Sequence, residues 1–104
     1  MQERRQSARI QLNLPARWQS LMTQSRGSVC DLSSDGCFLL TAGEVRESEL
    51  IYLEVDFGSH MVFLWGRVVY AIAEMGFAVC FIFSGENEQR ALKNLIEKLQ
   101  EPVV

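Results

Sequence analysis

The segment 51–57 reads IYLEVDF, a strict alternation of apolar and polar residues. A period of two indicates a β-strand that buries one face and exposes the other. Apolar runs of similar character recur along the chain, at 10–18, 28–32, 37–41, 61–73 and 76–83. Short polar or glycine-containing segments separate these runs at intervals of roughly 8–12 residues, which is typical of a β-barrel or sandwich. We therefore predict six antiparallel strands.

Three positions refine the predicted strands. Pro15 has no N–H group to donate to a ladder, so the first strand should have an edge or a bulge at that point. Gly66 interrupts a long apolar run and should mark a bend or a bulge, as at the corner of a barrel. The polar segment 20–27 is predicted to be a hairpin or a loop.

The pattern changes after Ser84, where the spacing of apolar residues becomes helical. Within 86–100 the apolar residues are Leu92, Leu95, Ile96 and Leu99. Ser84 or Asn87 can cap the start of the helix, and Pro102 stops it. Because a single amphipathic helix cannot bury its apolar stripe alone, we expect it to cover an open end or face of the barrel.

The predicted fold is mainly β, a small six-stranded antiparallel β-barrel of the split-barrel type with one C-terminal amphipathic α-helix. A chain of 104 residues has room for one such core. We divide the single domain, 1–104, into a flexible arginine arm at 1–9, the barrel at 10–83 and the helix at 85–100.

The cysteine and histidine content argues against metal and redox chemistry. Cys30, Cys37 and Cys80 form no C-x-x-C pair, and His60 is the one histidine of the sequence. A zinc site needs about four closely spaced nitrogen or sulfur ligands. Each cysteine lies in an apolar run, so we expect buried, reduced thiols, with no metal and no cofactor.

The sequence also disfavours a membrane protein and an enzyme. The longest apolar runs are far too short to span a bilayer, and the first residues lack the apolar core of a signal peptide. We predict a cytoplasmic protein without membrane insertion. His60 has no serine or cysteine partner beside it in the sequence, and no glycine-rich phosphate loop is present, so we predict that the chain is not an enzyme.

Charge is distributed unevenly along the chain. Residues 1–26 contain five arginines and one acid, a balance of +4, whereas the remaining residues have a balance of −7. A basic arm on an acidic body suits a small anionic ligand better than a long polyanion, which the body would repel. We therefore expect no nucleic-acid partner.

Arg4, Arg5 and Arg9 lie outside any apolar periodicity, which favours a mobile arm. Guanidinium groups suit phosphate oxygens and the O6/N7 edge of guanine, and they can stack on a purine. The spacing of Arg5 and Arg9 lets two guanidinium groups converge on one ligand if the arm wraps over the barrel. The alternative is a solvated basic terminus.

The segment 31–36 reads DLSSDG and joins two predicted strands. Asp31 can accept hydrogen bonds from N1–H and N2–H₂ of guanine, and Ser33 can donate to or accept from a ligand. Gly36 is free to take a positive φ and allows a close approach. The alternative is an ordinary hairpin turn. Tyr70 can offer a ring to stack on a base, although core packing is the commoner use of that side chain.

These two motifs, in this order, resemble those of the PilZ family, whose members bind the bacterial second messenger cyclic di-GMP. Arg5 and Arg9 match its R-x-x-x-R arm motif, and Asp31, Ser33 and Gly36 match its [D/N]-x-S-x-x-G turn. The segments 66–70 and 75–79 look like the closing strands of the family. Arg4 matches a preceding arginine that is often seen there, while members often carry tryptophan near Tyr70.

The resemblance implies a PilZ-like barrel and a non-enzymatic receptor or adaptor for cyclic di-GMP. The ligand-binding residues would be Arg4, Arg5, Arg9, Asp31, Ser33 and Gly36, with Tyr70 as a possible stacking residue. The arm would fold over the ligand and change a surface that an unidentified downstream protein reads, in a monomer or weak dimer. The alternative is a PilZ-like interaction module that binds no nucleotide, as in type IV pilus assembly, whose members typically lack both motifs.

Overall fold

The computed structural model describes residues 9–100. Within them the chain forms six strands and one helix. In chain order these are β1 (Ile10–Gln19), β2 (Gln24–Leu32), β3 (Gly36–Thr41), β4 (Leu50–Asp56), β5 (Met61–Ile72), β6 (Gly76–Ile82) and α1 (Glu86–Gln100). The strands close into an antiparallel barrel in the order β1-β2-β3-β6-β5-β4. The predicted fold class is confirmed.

The barrel consists of two three-stranded meanders, β1-β2-β3 and β4-β5-β6, joined along two seams. One seam pairs β3 with β6, from Gly36 opposite Cys80 to Leu40 opposite Gly76. The other pairs β1 with β4 over four residues of each strand. The first seam brings the polar turn of the first meander against the last strand of the second.

Alternation along the strands sets the core. Ile51, Leu53 and Val55 are 0%, 0% and 1% exposed. The alternation at 51–57 therefore marks a strand with one buried face, as predicted. Trp18 and Phe77 meet edge to face in the interior, with ring centroids 5.0 Å apart.

Helix α1 contributes Leu92 and Ile96 to the same core, where they are 2% and 5% exposed. Leu99, by contrast, is 41% exposed. At the start of the helix, the Glu88 carboxylate accepts hydrogen bonds from the backbone N and the hydroxyl of Ser84. The carboxylate thus reaches back to Ser84. No helix among the described residues is long and apolar enough to cross a membrane.

Local details of the strands differ from the sequence predictions. The loop predicted at 20–27 is shorter, because β2 already begins at Gln24. Pro15 pairs in register with Ser28, and the irregularity lies just before it, between Gln11 and Leu14.

Gly66 is not a bulge, since it pairs in register with both Ile51 and Phe81. A Cβ atom at Gly66 would lie 2.2 Å from Val79 Cγ1, so the glycine makes room for a core side chain. The bulge of β5 falls instead between Val68 and Tyr70.

The cysteines do not share one environment, contrary to expectation. Cys37 is buried, Cys30 is intermediate and Cys80 is exposed, and all three thiols are free. Cys80 lies on β6, whose outward face is open at that position. The prediction of three buried thiols is therefore wrong for Cys80.

Candidate functional site

A cavity of about 780 Å³ lies over the outer surface of β2, β3, β6 and the end of β5. We refer to it as the β3–β6 cavity. Of the residues that the sequence motifs single out, its lining includes Arg9, Asp31, Ser33, Gly36 and Tyr70. Residues more than sixty positions apart in the sequence meet here because β3 pairs with β6. Arg4 and Arg5, the other predicted site residues, lie outside the described residues.

Arg9 and Asp31 form an ion pair at the rim of this cavity. The Arg9 Nη1 donates to Asp31 Oδ2 at 2.8 Å. The pairing of Ile10 with Leu32 brings the start of β1 to the end of β2 and makes this contact possible. The two side chains are 41% and 30% exposed, so both remain accessible from the cavity. The last arginine of the predicted arm is thus attached to the barrel.

Ser33 organises the turn between β2 and β3. Its hydroxyl oxygen accepts hydrogen bonds from the backbone N of Asp35 and Gly36, at 3.2 and 3.3 Å. The hydroxyl also donates to the Gly36 carbonyl at 3.4 Å, and the residue is only 3% exposed. A hydroxyl has one donor and two acceptor positions, and the turn uses all three. The side chain expected to face a ligand therefore holds the turn together.

Gly36 is required for space and not for a special backbone angle. Among residues 9–100, glycines with positive φ are Gly58 and Gly76, so the expected positive φ at Gly36 is wrong. A Cβ atom at Gly36 would lie 2.1 Å from the Val79 carbonyl oxygen. The close approach at this glycine is to β6, whereas the close approach to a ligand stays a prediction.

Tyr70 is 47% exposed, so the expectation of core packing is wrong. The bulge that precedes it aligns Tyr70 with Ala78, on the outer face of β6. Its ring centroid lies 6.2 Å from that of Phe38, and both rings line the β3–β6 cavity. The position offers an aromatic face to a planar ligand.

Several residues of the lining were not identified from the sequence, among them Gln11, Phe38, Asp35 and Cys80. Gln11 lies directly opposite Asp31 on the neighbouring strand. The period-two pattern of β1 could have indicated that its side chain is on the outer face. Asp35 and Cys80 reach the cavity through the β3–β6 seam. No local pattern in the sequence indicates that β3 pairs with β6.

The thiols of Cys30 and Cys37 stay protonated at neutral pH. Burial raises the pKa of Cys37 to about 12, with smaller contributions from Cys30 and Asp31, and with Arg9 acting in the opposite direction. Burial, followed by the charge of Asp31, also raises the pKa of Cys30. The charged side chains of the lining are therefore Arg9, Asp31 and Asp35, one cation against two carboxylates. No group of three or more metal-binding side chains occurs within residues 9–100.

Comparison with known proteins gives one family and one fold. A protein-family model described as PilZ domain matches residues 3–98. The PilZ domain of CeSA from a cellulose-synthesizing bacterium is 16% identical, with a TM-score of 0.76 over 91% of this chain and 100% of that one. The PilZ domain of Escherichia coli YcgR with c-di-GMP is 17% identical, with a TM-score of 0.81 over 94% and 92% of the two chains.

A longer protein gives a similar match. The K. pneumonia MrkH–c-di-GMP complex is 17% identical, with a TM-score of 0.74 over 94% of this chain and 52% of that one. The present chain therefore spans about half the length of MrkH. At these identities the likeness establishes the fold. A comparison with curated protein sequences gives no match.

Proposed function

Because this chain belongs to the PilZ domain family, we propose that it is a receptor for cyclic di-GMP that acts by binding and not by catalysis. The observation that carries the proposal is the convergence of both sequence motifs on the β3–β6 cavity, through Arg9, Asp31 and Gly36. Solved structures of YcgR and MrkH, which have the same fold, contain c-di-GMP.

Asp31 would recognise guanine through hydrogen bonds. Its Oδ2 accepts from Arg9, and its other oxygen keeps acceptor capacity toward the cavity. Guanine offers N1–H and N2–H₂ as adjacent donors, which adenine does not. Arg9 uses one N–H group on Asp31 and has further donors for a phosphate or for the O6/N7 edge of the base.

Tyr70 and the turn would play supporting roles. The exposed face of Tyr70 is suited to stacking on a base. Ser33 and Gly36 fix the turn that presents Asp31, so their contribution to affinity would be through its position.

The described part of the cavity does not carry enough positive charge for this ligand. Cyclic di-GMP has two phosphates, whereas the lining has a single guanidinium, Arg9, and two carboxylates. Arg4 and Arg5 would supply the missing charge by folding over the ligand. Ordering each residue costs about 1–2 kcal/mol, and charge-assisted hydrogen bonds of about 1.5–3 kcal/mol each would offset that cost.

The test is isothermal titration of the purified protein with cyclic di-GMP, GTP and cyclic GMP at low salt. We expect saturable binding of the dinucleotide alone. Replacing Arg5 or Arg9 by Ala, or Asp31 by Asn, should weaken it about tenfold or more, the loss of one charge-assisted bond.

Arg90→Ala is the matched control, since it removes an equal charge from the outer surface of α1. It should leave the affinity unchanged. Absence of heat with cyclic di-GMP, in protein whose circular dichroism is that of a folded barrel, would refute the proposal. The nucleotide-free interaction module would then be the better description.

A further inference from the structure

The outer surface of β4 and β5 carries three neighbouring aromatic side chains, Tyr52, Phe63 and Trp65, which we call the aromatic patch. Phe63 and Trp65 are each 47% exposed. The Tyr52 ring lies between them, with its centroid 4.7 Å from that of Trp65 and 6.2 Å from that of Phe63. Further exposed apolar side chains on β4, β5 and β6 extend the patch; these are Leu50, Met61 and Ile82. A cluster of exposed aromatic and aliphatic side chains of this kind marks an interaction site.

Two arginines border the aromatic patch. Arg17 on β1 and Arg26 on β2 are direct cross-strand partners, and both are exposed. Like charges placed opposite each other on a sheet destabilise it. Neither guanidinium forms an ion pair within residues 9–100, although Glu54 is the cross-strand neighbour of Arg17 on β4. The structure thus keeps two cations close together, with no carboxylate of residues 9–100 within ion-pair distance of either.

Tyr52 and the arginine pair line one cavity of about 420 Å³. Its lining also includes Glu54, so the charged side chains there are two guanidinium groups and one carboxylate. Tyr52 therefore connects the charged and apolar parts of the surface. Arginine, tyrosine and tryptophan are also the residues that most often dominate the binding energy of protein–protein interfaces.

We propose that this surface docks a segment of a protein partner that carries carboxylate side chains next to an aromatic or aliphatic residue. The carboxylates would accept from Arg17 and Arg26 and relieve their mutual repulsion. The apolar residue would pack on Tyr52 and Trp65. None of these four residues lines the β3–β6 cavity, so the proposal is independent of nucleotide binding.

Charge favours this occupant over the alternatives. A nucleic acid would bring a continuous row of phosphates past Glu54 and Asp56, and onto a body whose charge balance beyond residue 26 is −7. A second copy of the chain, laid patch against patch, would bring a second arginine pair to the same interface. A short segment brings no second arginine pair and needs only one or two carboxylates on Arg17 and Arg26, so it meets less repulsion from Glu54 and Asp56 than a row of phosphates does.

The probe is a library of random twelve-residue peptides displayed on phage, selected on the full-length protein. Peptides that bind an Arg17→Glu variant equally well are removed. We expect the survivors to combine Asp or Glu with Phe, Trp, Leu or Ile. A synthetic survivor that lacks tryptophan is then titrated while protein fluorescence is recorded. The emission change reports binding at this surface, because Trp65 is 47% exposed on the aromatic patch and Trp18 lines the 420 Å³ cavity.

The expected result is saturable binding that weakens with salt and falls about tenfold or more in Arg26→Glu and in Trp65→Thr. Arg90→Glu, an equal charge change on α1, should bind as the wild type does. Arg17 and Arg26 are both exposed, so the variants at these two positions fold even if Trp65→Thr does not.

Three results would overturn the proposal. The first is that no peptide survives the counter-selection, or that the survivors lack acidic residues or bind Arg26→Glu like the wild type. The second is that single-stranded oligothymidine changes the tryptophan emission in the same saturable way. The third is that the protein alone sediments as a dimer that Trp65→Thr dissociates.

Discussion

Gly36 lies where the turn of the first meander meets the last strand of the second. We expect Gly36→Ala to lower the free energy of unfolding by about 1–3 kcal/mol or more, the usual cost of forcing extra atoms into a packed region. The reason is that a Cβ atom there would lie 2.1 Å from the Val79 carbonyl oxygen. Urea denaturation followed by circular dichroism measures the change.

Gly85→Ala is the control for this substitution, since a Cβ atom at Gly85 would meet nothing within 4 Å. It should lower the free energy of unfolding by less than about 1 kcal/mol, the size of effect typical of a change at a helix start. Equal effects of the two variants would show that the contact between Gly36 and β6 does not limit stability.

Cys37 should make stability decrease at alkaline pH. Its pKa is raised by burial from 9.0 to about 12. Below pH 9 the thiol is neutral in the folded and the unfolded chain and contributes no pH dependence. Between about pH 9 and 12 the unfolded chain releases the proton and the folded chain retains it, so the free energy of unfolding falls as pH rises.

Urea midpoints measured at pH 8 and pH 10 test this dependence. The decrease should be smaller in Cys37→Ala than in the wild type. Cys80→Ala, in which an exposed thiol is lost, should retain the wild-type decrease. If Cys37→Ala retains the full decrease, other groups are responsible for it.

The site was predictable from the sequence only in part. The two motifs identify Arg9, Asp31 and Gly36 because the required residue types lie close together in the chain. The internal use of the Ser33 hydroxyl and the reason for Gly36 depend on distances within the folded turn and across to β6. The position of Tyr70 depends on a bulge in β5. These features are tertiary, and no periodicity encodes them.

Among the elements, α1 contributes to stability through two side chains. Leu92→Ala should lower the free energy of unfolding by about 2–5 kcal/mol, the range for truncating a buried leucine, because Leu92 is 2% exposed. Leu99→Ala deletes the same atoms at a position that is 41% exposed, and it should cost about 1 kcal/mol or less. Urea denaturation of both variants gives the comparison, and similar losses would mean that α1 does not cover the core as described.

Elements with a strong local period were predicted best. The alternation at 51–57 and the helical spacing at 86–100 each identified an element correctly. The start of β2 was missed because 24–27 is polar, and only its pairing with β1 and β3 makes it a strand. Gly66 was misread since a glycine that makes room for Val79 looks the same in sequence as one at a bulge.

For the whole molecule, the charge distribution predicts salt-sensitive binding of cyclic di-GMP. An anionic ligand must approach an acidic body through a few arginines. Raising the salt from about 0.1 M to 1 M shortens the Debye length from about 10 Å to 3 Å and screens this attraction. Titration calorimetry should therefore show affinity falling over that range. An affinity that is independent of salt would indicate that neutral contacts dominate.

The two-meander architecture also determines how the chain could be divided. The first meander contributes Arg9, Asp31 and Gly36 to the β3–β6 cavity, and the second contributes Tyr70 and Cys80. The segment 42–47 between the meanders contains no strand. Cleavage there would yield two fragments, each with local antiparallel pairing, that associate through the two seams and the core they share. The cavity would then form only on fragment complementation, and a ligand that bridges the β3–β6 seam would drive the two halves together.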